Sequence, residues 1–339
     1  MRSLAALLLA FLLTLTAPTV KGGEPWLKPN DIVALVGGED MVALAEEGWL
    51  ETLVTWAQPQ DRIRFRSLAW EGDTVFEQRR DLNYPTLETQ LDKMGATVVI
   101  CQFGKMESFA GKDGVAAFTE AYEKLLARLS REKKRRIALV LPSQFSKPPS
   151  RSSVHTILPD LTPRNRDLHS YCRAIQLFDG NTMESPKTIP PGSAKQTGTV
   201  VPAVRRSPLL ISADSGMEAD TRDGIHLAET SVADNFLLAL KLAAQMGCLP
   251  GSVGPNMTWS AAPKSLLGLC DAIVAKNRLW FHYTRPQNWA FLAGNRTNQP
   301  SSRDHRDPSK RWFPEEMEQW LPLIDAKEQE IWKLAAAPR

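Results

Sequence analysis

The chain has 339 residues, of which 43% are hydrophobic and 23% charged, and its formal net charge is +3. That composition is ordinary for a globular protein with a sizeable core. Because basic and acidic residues are interleaved, neither a nucleic acid nor a membrane surface is indicated as a partner.

The N-terminus predicts a secretory signal peptide over residues 1–23. Met1-Arg2 precedes an apolar run from Leu4 to Leu15, and Ala17-Pro18 follows that run. A positive charge, an apolar stretch and a polar exit are typical of export signals, and the stretch is short for a membrane span. We expect an exported protein, periplasmic or extracellular, with no stable membrane insertion after signal removal. An uncleaved anchor is the alternative.

Short apolar runs predict the strands of a buried sheet. Each is β-branched or aliphatic and has the length of a buried strand. They are Ile32–Val36, Ile63–Leu68, Thr97–Gln102 and Arg136–Leu141, with Leu209–Ala213 as a candidate last strand.

Helical patterns alternate with these runs. They cover Met41–Trp56, Thr86–Met94, Val115–Leu129, Pro163–Phe178, Leu227–Met246 and Pro263–Trp280, and a last helix starts near Pro314. Strands that alternate with helices indicate a parallel sheet covered on both faces. We therefore predict an α/β fold, a three-layer αβα sandwich around a central parallel sheet of about five strands.

Glycine turns follow the first three predicted strands, at the edge of the sheet where ligands bind in such folds. These turns are Gly37-Gly38-Glu39-Asp40, Trp70-Glu71-Gly72-Asp73 and Gly104-Lys105-Met106-Glu107.

An Asp-x-x-His motif, Asp223-Gly224-Ile225-His226, precedes the helical pattern that begins at Leu227. A carboxylate three residues before a histidine can hold one imidazole nitrogen and fix the tautomer. The other nitrogen is then able to take a proton from a nucleophile. A helix cap is the alternative role of an isolated Asp-x-x-His.

In their order and spacing, these segments resemble the blocks of the SGNH (GDSL-type) hydrolases. That family places Gly-Asp-Ser after the first strand, a Gly-bearing block after the second, Gly-x-Asn after the third and Asp-x-x-His before the last helix. The resemblance implies an SGNH-type, flavodoxin-like domain over residues 24–250, with residues 251–339 as a C-terminal helical extension packed on it.

The resemblance also implies roles for individual residues. His226 and Asp223 correspond to the catalytic base and its partner. The turns at Gly38, Gly72 and Gly104 correspond to the oxyanion-binding cleft.

Two positions depart from the family pattern. Glu39 stands where the nucleophilic serine belongs, and Met106 stands where the asparagine belongs. Serine supplies the attacking oxygen, and the asparagine is an oxyanion donor whose loss typically costs about 10²–10³ in rate. Glu39 is expected either to pair with His226 or to act as a base on water. The serines weighed as replacement nucleophiles are Ser67, Ser108 and Ser143.

The chain more narrowly resembles a group of GDSL-type proteins from planctomycete-like bacteria. The similarity covers Gly104–Gly111, Arg164-Asn165 and the stretch from Arg285 to Asp307. That last stretch mixes Arg, Asn, Trp and His, which suits carbohydrate or carboxylate recognition; an ordered loop held by salt bridges is the alternative. Candidate ligand contacts are Trp70, Glu107, Arg285, Asn288 and Trp289.

Three functions are compatible with these residues. The first is ester or acetyl-ester hydrolysis on a carbohydrate-like substrate at a degenerate site. The second is non-catalytic binding of a carbohydrate or another small molecule by the same cleft. A structural role in a larger exported assembly is a third reading. We predict neither a cofactor nor a metal site.

The cysteines, Cys101, Cys172, Cys248 and Cys270, lack the C-x-x-C spacing of zinc sites. Export permits disulfides, but Cys101 ends an apolar strand, which favours a buried free thiol.

Overall fold

A computed structural model describes residues 25–78, 80, 83–131, 134–146, 160–178, 209–211, 232–249, 253 and 257–338. The signal peptide predicted over residues 1–23 lies outside the described residues, as do Asp223 and His226.

Five strands form a single parallel sheet, which confirms the predicted α/β architecture. They are β1 (Ile32–Gly37), β2 (Arg64–Ser67), β3 (Val98–Gln102), β4 (Arg136–Val140) and β5 (Leu209–Ile211). Their order across the sheet is β2-β1-β3-β4-β5, and every neighbouring pair is parallel. In this flavodoxin-like order the chain changes direction between β1 and β3, and ligands bind outside the strand ends at that switch point.

Both faces of the sheet are buried. In β1, Val33 and Leu35 belong to one hydrophobic cluster, whereas Ala34 and Val36 belong to a second. Because successive strand residues point to opposite faces, the two clusters lie on opposite sides of the sheet. The strand is therefore apolar on both faces, which is why the sequence shows continuous apolar runs instead of alternation.

Helices cover these two faces. They are α1 (Glu39–Glu47), α2 (Trp49–Ala57), α3 (Leu87–Lys93), α4 (Val115–Ser130), α5 (Asn165–Gln176), α6 (Val232–Gln245), α7 (Lys264–Thr284) and α10 (Trp320–Ala335). Between α7 and α10 the chain forms two short helices, α8 (Trp289–Leu292) and α9 (Trp312–Glu318), which contact each other.

The prediction of one helix over Met41–Trp56 is wrong in one respect. The chain forms α1 and α2, separated by Gly48 at a φ of 68°. This left-handed conformation ends a helix and favours glycine. A Cβ at Gly48 would also lie 2.9 Å from Cγ2 of Ile273, so the same glycine lets α7 approach closely.

The C-terminal helices are joined to the sheet by buried ion pairs. Lys276 in α7 donates a hydrogen bond to Glu51 in α2 at 2.8 Å, and Arg66 in β2 donates one to Glu328 in α10 at 2.5 Å. Burial lowers the pKa of Lys276 and raises the pKa of Glu51. The opposite charge of each partner makes both shifts smaller. These contacts fix α7 and α10 beside β2, next to the carboxyl ends of the strands.

Within the part of the chain that the structure describes, no helix is both long enough and apolar enough to cross a bilayer.

Candidate functional site

The turns after β1, β2 and β3 meet in a small cleft at the switch point. The cleft is lined by Gly38, Glu39, Asp73, Gln102, Phe103, Gly104, Lys105, Met106 and Glu107. Its volume is about 10 Å³, which is room for roughly one water molecule. The structure thus brings together the residues at the predicted serine, asparagine and glycine positions, and the described residues leave little space between them.

Glu39 closes this cleft from the first turn of α1. Its carboxylate is half-buried, and Oε1 accepts a hydrogen bond from the N–H of Gly72 at 3.2 Å. Gly72 has a φ of 79°, a conformation that favours glycine and here turns its amide toward Glu39. This amide is the donor that the family resemblance assigns to a substrate oxyanion, and in this chain a protein carboxylate occupies it.

Beside Glu39 lies a buried ionic group, the Asp40–Lys105–Ser143 cluster. Nζ of Lys105 donates to Asp40 Oδ1 at 3.0 Å and to Ser143 Oγ at 2.8 Å. Ser143 donates to Asp40 Oδ2 through its hydroxyl at 2.7 Å and its backbone N–H at 3.1 Å. The cluster therefore ties the ends of β1, β3 and β4 together beneath the site.

The electrostatics of this cluster favour a structural role. Burial alone would raise the pKa of Asp40, but the Lys105 cation and the Ser143 hydrogen bonds outweigh burial and hold the pKa below its usual value. Nζ of Lys105 donates to both Asp40 and Ser143, so in this geometry it is a donor to the Ser143 hydroxyl and not an acceptor of its proton.

Of the three serines considered as replacement nucleophiles, two have hydroxyls that already donate a hydrogen bond, and the third lies away from the cleft. Ser143 donates its hydroxyl proton to Asp40, and Ser108 is fully buried and donates to the Lys105 carbonyl at 2.6 Å. Ser67 lies beside Leu35 and Leu44, on the sheet face that α1 covers. None of these three serines is placed in the cleft with a hydroxyl that could serve as a nucleophile.

The Glu107 side chain accepts hydrogen bonds from the backbone of two loops. Its two carboxylate oxygens accept hydrogen bonds from the N–H groups of Val75 and Gly104, each at 2.7 Å. Burial raises the pKa of Glu107, and these hydrogen bonds partly offset the effect. The buried side chain therefore holds two loops together, and its predicted role as a ligand contact stays a prediction. The Gly104 amide, predicted to be an oxyanion donor, is likewise used by Glu107.

The exchange Glu107→Gln tests this positioning role. Glutamine keeps one acceptor oxygen but presents an NH2 group to the other backbone donor, so one buried N–H loses its partner. We expect the free energy of unfolding to fall by roughly 1–3 kcal/mol in urea denaturation. Glu316→Gln, at an exposed position of α9, is the matched control and should change little. Equal stability of the two variants would show that Glu107 does not hold the loops.

A larger cavity opens next to Gly72. Its volume is about 660 Å³. It is lined by Trp70, Glu71, Gly72, Asp73, Glu77, Arg80, Tyr84, Thr284, Arg285, Pro286 and Trp289. One wall comes from the segment after β2 and the other from the segment that follows α7, so residues about 200 positions apart in the sequence form a single site.

Two arginines in the cavity wall pack against the ring of Trp70. The guanidinium carbons of Arg80 and Arg285 lie over the Trp70 ring, 4.2 and 4.1 Å from its centroid. Arg80 also forms a bidentate pair with Asp73 at 2.7 and 2.8 Å, and Arg285 pairs with Glu71 at 2.8 Å. These contacts between charged groups and an aromatic face fix the shape of the wall.

Three of the predicted ligand contacts meet here, namely Trp70, Arg285 and Trp289. Asn288 is exposed and does not line the cavity in the described part of the chain. Arg80 and Tyr84 were not predicted as site residues, because they lie in an irregular segment with no periodic pattern.

The two residues of the Asp-x-x-His motif, Asp223 and His226, lie outside the described residues, and their roles remain predictions. Among the described residues, no group of three or more His, Cys, Asp or Glu side chains is placed to hold a metal ion.

The cysteines are free thiols, and burial raises the pKa of Cys101 to about 12.

No protein-family model matches the chain, and no curated protein matches it in sequence. Solved structures do resemble it. A gut microbial diltiazem-metabolizing enzyme is 12% identical, with 91% of this chain and 96% of that chain covered and a TM-score of 0.51.

Two carbohydrate esterases also match. A carbohydrate acetylesterase from Sinorhizobium meliloti is 14% identical over 63% of this chain and 99% of its own, with a TM-score of 0.37. A family two carbohydrate esterase from Clostridium thermocellum, in complex with cellohexaose, is 12% identical over 66% of this chain and 67% of its own, with a TM-score of 0.36. At these identities the similarity concerns the fold.

Proposed function

We propose that this protein is an exported SGNH-type protein that binds a carbohydrate-like ligand and does not carry out serine-based acyl transfer. One observation carries the proposal: the Glu39 carboxylate accepts the hydrogen bond of the Gly72 amide. An oxyanion hole works because its donors are free to meet charge that develops in the transition state. A donor already bound to a carboxylate does not provide that stabilisation.

The chemistry of Glu39 supports the same conclusion. A serine nucleophile is activated by transferring its hydroxyl proton to a base, whereas an ionised carboxylate has no such proton to give. The start of a helix is also a favourable place for a negative charge, because the helix dipole is positive there. The Glu39 carboxylate is therefore suited to accept the hydrogen bond of the Gly72 amide and not to serve as a serine-type nucleophile.

Met106 stands where the family resemblance predicts a second oxyanion donor. It is half-buried and lines the cleft, and the family resemblance predicts an asparagine at this position. Its thioether is at most a weak acceptor and cannot donate to an oxyanion. The Gly104 amide is bound to Glu107 as well, so several groups that would stabilise an acyl intermediate are missing or already paired.

Ester hydrolysis is the second candidate function. The Asp223-x-x-His226 motif favours it, because a pure binding protein has no need of a base and its orienting carboxylate. In this mechanism Glu39 or His226 would activate a water molecule. The water would attack an ester, including an acetyl ester of a carbohydrate.

Turnover of short-chain aryl esters separates the two functions. We expect the purified protein to hydrolyse p-nitrophenyl acetate no faster than a His226→Ala variant does. The assay compares initial rates at equal concentrations, after circular dichroism has shown that both proteins are folded. Robust activity that disappears in His226→Ala would overturn the binding proposal and favour hydrolysis.

A further inference from the structure

We propose that the 660 Å³ cavity binds a neutral, hydroxyl-rich glycan against Trp289 and discriminates against acidic glycans. The inference rests on the proposed binding function, and it adds the ligand class and the residues that select it. The volume of the cavity lies within the range of about 300–1,000 Å³ that is usual for small-molecule sites.

The charges in the cavity disfavour an anion. Arg80 is neutralised by both oxygens of Asp73, and Arg285 is bound by Glu71 and by the carbonyl oxygen of Ala69. Together with Glu77, the lining contributed by the described residues holds three carboxylates against two guanidinium groups. A ligand carboxylate would have to displace one of these pairs, and it would also face like charges.

The same carboxylates suit hydroxyl groups. Ionised Asp and Glu side chains are hydrogen-bond acceptors with several lone pairs, and hydroxyls are donors. The Arg80 pair partly offsets the effect of burial on Asp73, whose pKa is nonetheless raised. Tyr84 already donates its hydroxyl to the Thr284 carbonyl at 2.6 Å, which leaves the carboxylates as the main acceptors.

Trp289 supplies an apolar surface. Its side chain is 38% exposed, whereas the Trp70 ring lies beneath the guanidinium groups of Arg80 and Arg285. Phe76 and Phe281, which are a few residues in sequence from residues that line the cavity, are also exposed. A sugar ring has an apolar face edged by hydroxyls. It therefore matches an exposed indole beside carboxylate acceptors.

Calorimetric titration of the full chain tests this inference. The neutral probes are cellohexaose, mannohexaose and xylohexaose, and the acidic probe is an oligogalacturonate of the same length. We expect at least one neutral oligomer to bind, and to bind at least about tenfold more tightly than the acidic one. Absence of binding by every probe, or tighter binding of oligogalacturonate, would overturn the inference.

Substitutions locate the site. Trp289→Ala should weaken binding of the neutral oligomer by about tenfold, and Trp289→Phe should retain most of it. Trp320→Ala, at a tryptophan that does not line the cavity in the described part of the chain, is the control. Equal affinity of Trp289→Ala and wild type would place the ligand elsewhere.

The variant Glu71→Gln tests the charge argument separately. It removes the carboxylate partner of Arg285, so the affinity for oligogalacturonate should rise relative to wild type. An unchanged affinity would contradict the proposed charge selection. Tighter binding of oligogalacturonate would overturn the charge selection while leaving carbohydrate binding intact, whereas ester turnover that depends on His226 would overturn the proposed function itself.

Discussion

The double exchange Glu39→Ser with Met106→Asn is expected to create esterase activity. The serine supplies a nucleophile and removes the carboxylate from the Gly72 amide, and the asparagine supplies a further donor. Because one oxyanion donor is typically worth about 10²–10³ in rate, the double variant should exceed Glu39→Ser alone by about 100-fold or more. The measurement is the initial rate of p-nitrophenyl acetate hydrolysis.

Two controls make this result specific. Glu39→Ala with Met106→Asn opens the same space without a nucleophile and should stay at the wild-type rate. His226→Ala in the background of the active double variant should abolish the gain, because the serine would lose its base. A folded double variant that is no faster than the alanine control would contradict the assignment of Glu39 and Met106 to the family positions.

Lys105→Met is expected to lower stability by roughly 3–5 kcal/mol, because it leaves the buried Asp40 carboxylate without its cation. The Lys105 and Asp40 side chains are 6% and 1% exposed, so water cannot replace the lost partner easily. Urea denaturation at neutral pH measures the effect. Adding Asp40→Asn should restore part of the stability, since a neutral amide needs no cation and can still accept from Ser143.

The pH dependence provides a second readout of the same cluster. In the wild type the folded pKa of Asp40 is lowered, so its contribution to stability is present above the ordinary aspartate pKa. That contribution is lost as the pH falls through the lower folded pKa. In Lys105→Met, burial should instead raise the pKa, so protonation relieves the penalty. The stability difference between the two proteins should therefore shrink on acidification, and a constant difference would argue against a charged Asp40.

Much of the fold follows from the sequence, because strands buried on both faces produce continuous apolar runs. β1, β3 and β4 were predictable in this way, and so was the parallel sheet. The break at Gly48 was missed, because a glycine inside an apolar helical pattern is compatible with either a continuous helix or a left-handed turn. Its close contact with Ile273 depends on α7, which is more than 200 residues away.

The candidate site was only partly predictable. Spacing from the strands predicted that Glu39 and Met106 lie at strand ends, where the structure has both of them lining the small cleft, and their functional roles stay predictions. The partners of Lys105 were not predictable, since Asp40 and Ser143 follow different strands and become neighbours only through the sheet order. The cavity beside Trp70 likewise depends on Arg285, which reaches it from the end of α7.

The structure also relates the two parts of the site to each other. Gly72 contributes its amide to Glu39 on one side and lines the large cavity on the other. Closing the small cleft with a carboxylate therefore leaves the adjacent cavity available for a ligand. This arrangement supports the proposal that the neighbouring surface is used for recognition.

Labelling with a fluorophosphonate, followed by intact-protein mass spectrometry, tests the central claim most directly. The reagent forms a stable adduct with an activated serine, so the wild-type protein should keep its unmodified mass. The Glu39→Ser with Met106→Asn variant should gain one phosphonyl group, and peptide mapping should place that group on residue 39. A stoichiometric adduct on wild-type protein would contradict the claim that Glu39 has replaced the nucleophile of this site.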